Sequence, residues 1–428
     1  MVLSIRKSAL WQYVFIYIAL IFNQSNLYWH ILYRERLTIL FLLFILFIFK
    51  FSREAIRVTD INIVFLIALF LAVIFIRLTQ GGIGLETFAD YAIPILAIIF
   101  AIKEDQRMFL TRLVKVCMFL AVASLMGYMI GIVAPSLFRN FFLSFKTGWG
   151  VSTWTSAVDY ATRYYTGYGV FLFSWIDRMG LPNRNIGFYT EPGVYQIVLN
   201  TVLFILLFLR KHLELSDKKV RKYVILTIIT LISCQSTSGL LGILVIIICS
   251  VLTNQKETEK QRYRMIILLL IGIALLIADY NIRIEDSILS KVVLKKLFSD
   301  NMDFSLSASS SGAARIGTIF VCLQAMFQHP FGMGTTALST LLTSVSTDYV
   351  AGALLSFGAS LGVIPLAITL LWVFAPFKKS GLPKWAVIAY IFMYFNVTLS
   401  QSSAFYPMLI VIPMWLRYKK NMLLDNEV

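Results

Sequence analysis

The sequence predicts an all-α, polytopic integral membrane protein of about twelve transmembrane helices, and three observations carry that expectation. The first is composition: 59% of the 428 residues are hydrophobic and only 14% are charged. An ordinary soluble domain carries about a quarter charged residues. With a mean hydropathy of +0.79, these figures exclude a water-soluble globule, a disordered chain and, despite the formal charge of +16, a soluble nucleic-acid binder. The second is spacing. Apolar runs fall near residues 9–23, 37–51, 61–78, 88–102, 113–134, 192–209, 222–235, 239–253, 265–280, 361–377, 385–400 and 403–416. A span needs roughly 20 apolar residues, so the shorter runs imply tilted helices or displaced ends. The third is charge placement. With the N-terminus in the cytoplasm, 25 of the 38 Lys and Arg fall in inside segments with ten acids, leaving 13 basic and 12 acidic residues elsewhere. That asymmetry follows the positive-inside rule, puts both termini in the cytoplasm and makes the net charge topological.

A single membrane domain therefore covers residues 1–428. Arg6 and Lys7 precede the first run and no small-residue cleavage site follows it, so it is expected to be a retained anchor. Cys117, Cys234, Cys249 and Cys322 form no CxxC pair, and their expected role is as small buried residues. Arg77, Glu86 and Asp90 are expected to pair locally at the external surface.

Two external loops are long, 136–190 and 281–348. The first holds 15 aromatic residues in 55, a density that argues against disorder. Trp149, Trp154, Tyr164 and Tyr165 in it could stack on sugar rings or rest as a belt on lipid headgroups. Ten basic residues lie in the two loops, Arg178, Arg184 and Arg315 among them. Long loops tolerate such charges as solvated groups, yet guanidinium forks also match phosphate.

Three stretches carry chemistry. In NRNIGFYTEPGVYQ, residues 183–196, Arg184 lies seven positions before Glu191, and Pro192 then opens a helix. Glu191 either caps that helix or pairs with Arg184, or it serves as general base for a sugar hydroxyl. In SCQSTSGLLG, residues 233–242, a polar break separates two apolar runs and reads first as a turn. In SSGAARIGTIFVCLQAMFQHPFGMGTT, residues 310–336, Ile319, Leu323 and Met326 keep helical spacing after Arg315 until His329-Pro330 ends the helix. His329 has no second His or Cys near it, so no zinc site is expected. Asp300 and Asp303 sit in a Ser-rich loop and form no metal pair.

In this order and spacing, RNIGFYTEPG, STSGLLG and the stretch from Arg315 to Gly334 resemble the Wzy-type O-antigen and polysaccharide repeat-unit polymerases and the related O-antigen ligases. The resemblance covers about the central half of the chain. It implies a metal-independent, cofactor-free glycosyltransferase of GT-C-like fold in the bacterial inner membrane, with its active site on the periplasmic side. A sugar hydroxyl would attack the anomeric carbon of an undecaprenyl-diphosphate-linked chain, and lipid diphosphate would leave. On that reading Arg184, Arg315 and Arg178 meet the diphosphate, Glu191 or His329 is the base, and a chain-length regulator in the same membrane is a partner. Ligases of this group carry a further histidine motif, and the only histidines here are His30, His212 and His329, which favours a polymerase. A lipid-linked oligosaccharide flippase is the competing class; it would show paired halves and mid-membrane ionisable groups, and no internal repeat is visible.

Overall fold

A computed structural model describes residues 7–51, 60–143, 151–158, 161–168, 171–178, 184–253, 311–345 and 352–425. The described chain is helical, with one small sheet. The helices are α1 (Lys7–Ile21), α2 (Arg36–Phe51), α3 (Ile61–Thr79), α4 (Leu85–Glu104), α5 (Phe109–Val133) and α6 (Pro135–Leu143), then α7 (Pro192–Phe208), α8 (Asp217–Cys234) and α9 (Thr237–Thr253). After residue 310 come α10 (Ser311–Gln328), α11 (Thr335–Val345), α12 (Ala353–Leu361), α13 (Val363–Phe374), α14 (Lys384–Ser400) and α15 (Pro407–Asp425). Helices stand on eleven of the twelve expected apolar runs; the run at 265–280 lies outside the described residues. Of these, α3, α4 and α5 are long and apolar enough to cross a membrane.

Two expectations change. The first long loop is not loop throughout: it contains α6 and an antiparallel sheet, β1 (Val151–Val158), β2 (Ala161–Tyr168) and β3 (Trp175–Arg178), in the order β1-β2-β3. Its Thr-, Tyr- and Val-rich alternation is the composition a pleated ribbon prefers. The described part of the second loop, residues 311–345, is α10 and α11.

The core is built around two helices that are buried on every side. In α4 every residue from Ala92 to Ile102 is buried, and in α7 every residue from Val194 to Leu206. A helix without a polar face must be surrounded by others. Accordingly α4 packs against α1, α2, α3 and α15, and α7 against α5, α8, α9, α14 and α15. Burial of the most apolar stretch is 72% in α4 but 33% in α3 and 39% in α5, so the last two present an outward apolar face. All four cysteines are buried.

The bundle has two distinct ends. At the terminal end, where α1 starts and α15 finishes, the Gln12 amide donates to the carbonyls of Ala101 (2.8 Å) and Asp105 (2.7 Å). This satisfies the last carbonyls of α4, which have no helical donor. Arg112 pairs with Asp105 at 2.8 Å and donates to Gln12, Lys103 pairs with Asp60, and Arg107 with Glu214. His212 meets Lys419 there; burial, then the Lys419 and Lys211 charges, hold its imidazole below the ordinary range. The opposite, far end carries residues 22–35, 80–84, 184–191, 235–236 and 401–406.

The expected run at 361–377 is broken. α12 and α13 meet at Gly362, whose φ is +99°. The turn after α10 fills the gap: Pro330 accepts from the Val363 N–H (2.9 Å), while Met333 and Gly334 donate to Ala359 (3.0 Å) and Ser360 (3.1 Å). Backbone meets backbone here because Gly332 (φ +92°) has no side chain; a Cβ would lie 2.6 Å from the Ser360 carbonyl. A Cβ on Gly362 would lie 2.8 Å from Phe331. Gly332→Ala and Gly362→Ala should therefore each cost more than the roughly 1–2 kcal/mol of a left-handed residue alone. Gly81→Ala, at φ +67° with open space around it, should cost only that. Thermal unfolding of the three detergent-solubilised variants gives the comparison.

Candidate functional site

The far end encloses a cavity of about 860 Å³. Its floor and walls come from the segment between α1 and α2, the ends of α3 and α4 with their connection, the start of α11 and α12, and residues 402–406. Four charged side chains line it among the described residues: Arg36, Arg77, Glu86 and Asp90.

Glu86 and Asp90 are four apart in the first turns of α4, so they share one helix face. Arg36, at the start of α2, reaches both: Nη2 is 3.5 Å from Glu86 Oε2 and Nε is 3.5 Å from Asp90 Oδ1. Its guanidinium lies 4.2 Å above the Tyr33 ring and donates to the Tyr33 carbonyl at 3.1 Å. The Tyr33 hydroxyl donates to Asp90 Oδ2 at 3.4 Å. Burial and then the Asp90 charge push that phenol above its ordinary range, which keeps it a donor. Trp29 packs on Tyr33 with ring centroids 4.7 Å apart, and Trp29 itself is 43% exposed. Pro94, also in the wall, has no N–H to donate to the Asp90 carbonyl four residues earlier. Ion pairs of this exposure add little stability, about 1 kcal/mol or less. Their effect is to fix two carboxylates in place. The expected local pair is thus corrected: both acids are held by Arg36. Arg77, in the last turn of α3, lines the same cavity with no carboxylate within ion-pair distance among the described residues.

The motif stretches brace this cavity more than they line it. Gln24, in the wall at φ +57°, donates to Ser402 Oγ (3.1 Å) and accepts from the Tyr406 hydroxyl (2.7 Å). Its carbonyl accepts from Thr190 N–H at 3.3 Å, Ser25 bridges Tyr189, and Asn26 N–H donates to the Phe188 carbonyl. Residues 188–190 are therefore a strap behind the wall. The Gly82 carbonyl accepts from Thr336 N–H and from the hydroxyls of Thr335 and Thr336, which pins the start of α11 to the rim.

Arg184 sits at the far end beside Tyr128 of α5, close enough to act electrostatically on its phenol. Glu191 is extended at the N-terminus of α7, where its carbonyl accepts from Val194 and Tyr195 while its side chain makes no capping bond. The capping role is therefore not what the carboxylate does. His329 is exposed after α10, in the turn that fills the α12–α13 break. None of these three lines the cavity. Arg315 falls in the first turns of α10, and Arg178 ends β3. Strand register puts Trp154, Tyr165 and Arg178 in one cross-strand row, with Tyr164 opposite Thr155 in the next. Trp149 lies outside the described residues.

Sequence reasoning missed the residues that hold the motifs in place. Asn185 is buried: its amide donates to Ser124 and Ser233 (3.3 and 3.0 Å), and its Oδ1 accepts from Gly187 N–H at 3.0 Å. The STSGLLG break is likewise more than a turn. Gly239 and Gly242 make room for the buried side chains of Gln196 and Asn200 on α7, and Asn200 donates to the Gly239 carbonyl at 3.3 Å. Asn185→Ala removes the acceptor of the buried Gly187 N–H, at about 1–3 kcal/mol. Thermal unfolding should register that loss, and limited proteolysis should show residues 184–191 opened ahead of the bundle.

The chain matches no family model, and no curated protein matches it.

Proposed function

We propose that this protein is a membrane-embedded glycosyltransferase that polymerises undecaprenyl-diphosphate-linked repeat units, with its site at the far end of the bundle. The cavity carries the reading as the place that receives the substrate, while Arg184, Glu191 and His329 stand outside its lining. Its volume of about 860 Å³ lies in the range of sites that enclose a small ligand, and it combines aromatic faces, fixed carboxylates and a cation. A lipid-linked oligosaccharide needs each of these: stacking surface for its rings, acceptors for its hydroxyls and positive charge near its phosphates.

The orientation follows from charge. Lys103, Arg107, Arg112, Arg210 and Lys419 gather at the terminal end, which supports a cytoplasmic placement for both termini and a periplasmic one for the cavity. The proposed localisation is the bacterial inner membrane, crossed about twelve times in a GT-C-like arrangement. In the reaction a hydroxyl of one repeat unit attacks the anomeric carbon of the growing chain. The bond from that carbon to the diphosphate oxygen breaks, and lipid diphosphate leaves with the electron pair. Arg184, Arg315 and Arg178 are assigned to the diphosphate. Glu191 takes the hydroxyl proton, with His329 as the alternative base, and the aromatic rings of the first external segment guide the chain. A chain-length regulator in the same membrane is the proposed protein partner. Ligase and flippase activities are the competing readings.

Arg184→Ala and Arg315→Ala should abolish chain extension while the protein stays in the membrane at normal level. Cells carrying either variant should accumulate single repeat units on the acceptor lipid at the periplasmic face. Long polymer persisting in both would refute the assignment, and repeat units trapped on the cytoplasmic face would point to a flippase. Glu191→Gln should lower the rate by about 100-fold or more, as loss of a general base does, with the unfolding midpoint unchanged.

A further inference from the structure

The cavity contains an asymmetry that the reaction above does not use. Its two carboxylates share Arg36, within 3.5 Å of each, while Arg77 has no carboxylate in range among the described residues. Arginine stays charged at any physiological pH. Arg36 is 18% exposed and locked between two acids and the Tyr33 ring, so it is unavailable to a ligand without breaking that cluster. Arg77 is exposed and in the wall of the same cavity. The same wall holds a partly exposed indole, Trp29, with its ring packed on Tyr33, and a half-exposed carboxylate, Glu86. Ring face, hydroxyl acceptors and one unclaimed guanidinium fork describe a sugar that bears an oxyanion.

We infer that the cavity is a saccharide subsite selective for an anionic ligand: a sugar ring stacks on Trp29, its hydroxyls donate to Glu86, and Arg77 binds an oxyanion on the same molecule. The inference rests on the polymerase reading and names the ligand that this site takes. Two sources offer the oxyanion, the diphosphate of the lipid carrier or an acidic group on the repeat unit itself.

Equilibrium dialysis with the purified full-length chain tests this with four probes. They are geranyl diphosphate, geranyl-diphosphate-linked N-acetylglucosamine, a lipid-free disaccharide of glucuronic acid and N-acetylglucosamine, and neutral diacetylchitobiose. At least one anionic saccharide should bind tenfold or more tightly than chitobiose, and Arg77→Ala should erase that preference. Preference for the geranyl-linked sugar identifies the diphosphate as the oxyanion; preference for the glucuronate disaccharide identifies an acidic sugar. Trp29→Ala should weaken both saccharides about tenfold and leave geranyl diphosphate unchanged. Arg77→Lys keeps the charge but not the fork, and should fall between wild type and alanine; it carries the test if the alanine variant does not fold. Equal binding of charged and neutral saccharides, or a preference untouched by both Arg77 variants, overturns the subsite. Chain extension assayed in parallel separates the two ideas. Arg77-dependent binding without any extension would sink the polymerase and leave the subsite. Extension with binding indifferent to Arg77 and Trp29 would do the reverse.

Discussion

Every peptide group inside an apolar bundle has to find its hydrogen-bond partner within the bundle, because the surroundings offer none. Continuous helices meet that demand by themselves. Wherever a helix stops, something must replace the missing turn, and the architecture is a set of such replacements. The Gln12 amide closes the end of α4. Asn185 closes the junction of residues 184–187 with α5 and α8. The largest gap, between α12 and α13, is closed by the backbone of residues 330–334, through Pro330, Met333 and Gly334. The glycines of HPFGMG are thus explained by close backbone approach before any chemistry is assigned to His329. The same turn continues into Thr335 and Thr336, which bind the Gly82 carbonyl at the cavity rim. A structural necessity in the bundle therefore also sets the shape of the site.

Charge at the far end obeys a second, weaker constraint. A carboxylate pair on one helix face repels itself unless a cation is shared, and Arg36 supplies it from a neighbouring helix. Sharing consumes the cation, so an arginine's place in the cavity does not by itself make it a ligand group. Arg36 is consumed by the two acids and by the Tyr33 ring and carbonyl, whereas Arg77 is exposed and pairs with no carboxylate among the described residues.

The helices were legible in the sequence because burial of apolar runs is what forms them, and eleven expected runs coincide with helices. Breaks were less legible. Gly362 interrupts an otherwise apolar run, and only the partner turn 32 residues earlier in the chain, at Pro330, makes the interruption stable. The sheet at 151–178 carried its own β-prone signal in residues such as Thr153, Thr155, Tyr164 and Tyr165, which the count of aromatic residues obscured. The site was the least legible part. Arg77 was expected only as a local partner of Glu86 and Asp90, and Arg36, at the start of α2, carries no motif that marks it. Nothing local says that the ends of α2, α3 and α4 converge on one cavity. The local clues were the expected meeting of Arg77, Glu86 and Asp90 at the external surface and the spacing of Glu86, Asp90 and Pro94, each four residues from the next on a single helix face.

That spacing makes α4 a helix of two halves. From Ala92 to Ile102 every residue is buried against α1, α2, α3 and α15, and the side chains there are almost wholly apolar. From Glu86 to Tyr91 the same helix contributes two carboxylates and a ring to the cavity. Pro94 lies at the boundary, buried by packing yet reaching the cavity wall. In the lower half a change of volume disturbs four neighbouring helices and is felt as stability. In the upper half a change of charge disturbs Arg36 and whatever occupies the cavity, with little core to lose. Joining both halves in one rigid rod holds Glu86 and Asp90 as steadily as the core itself, and functional groups on such elements are placed more accurately than on loops.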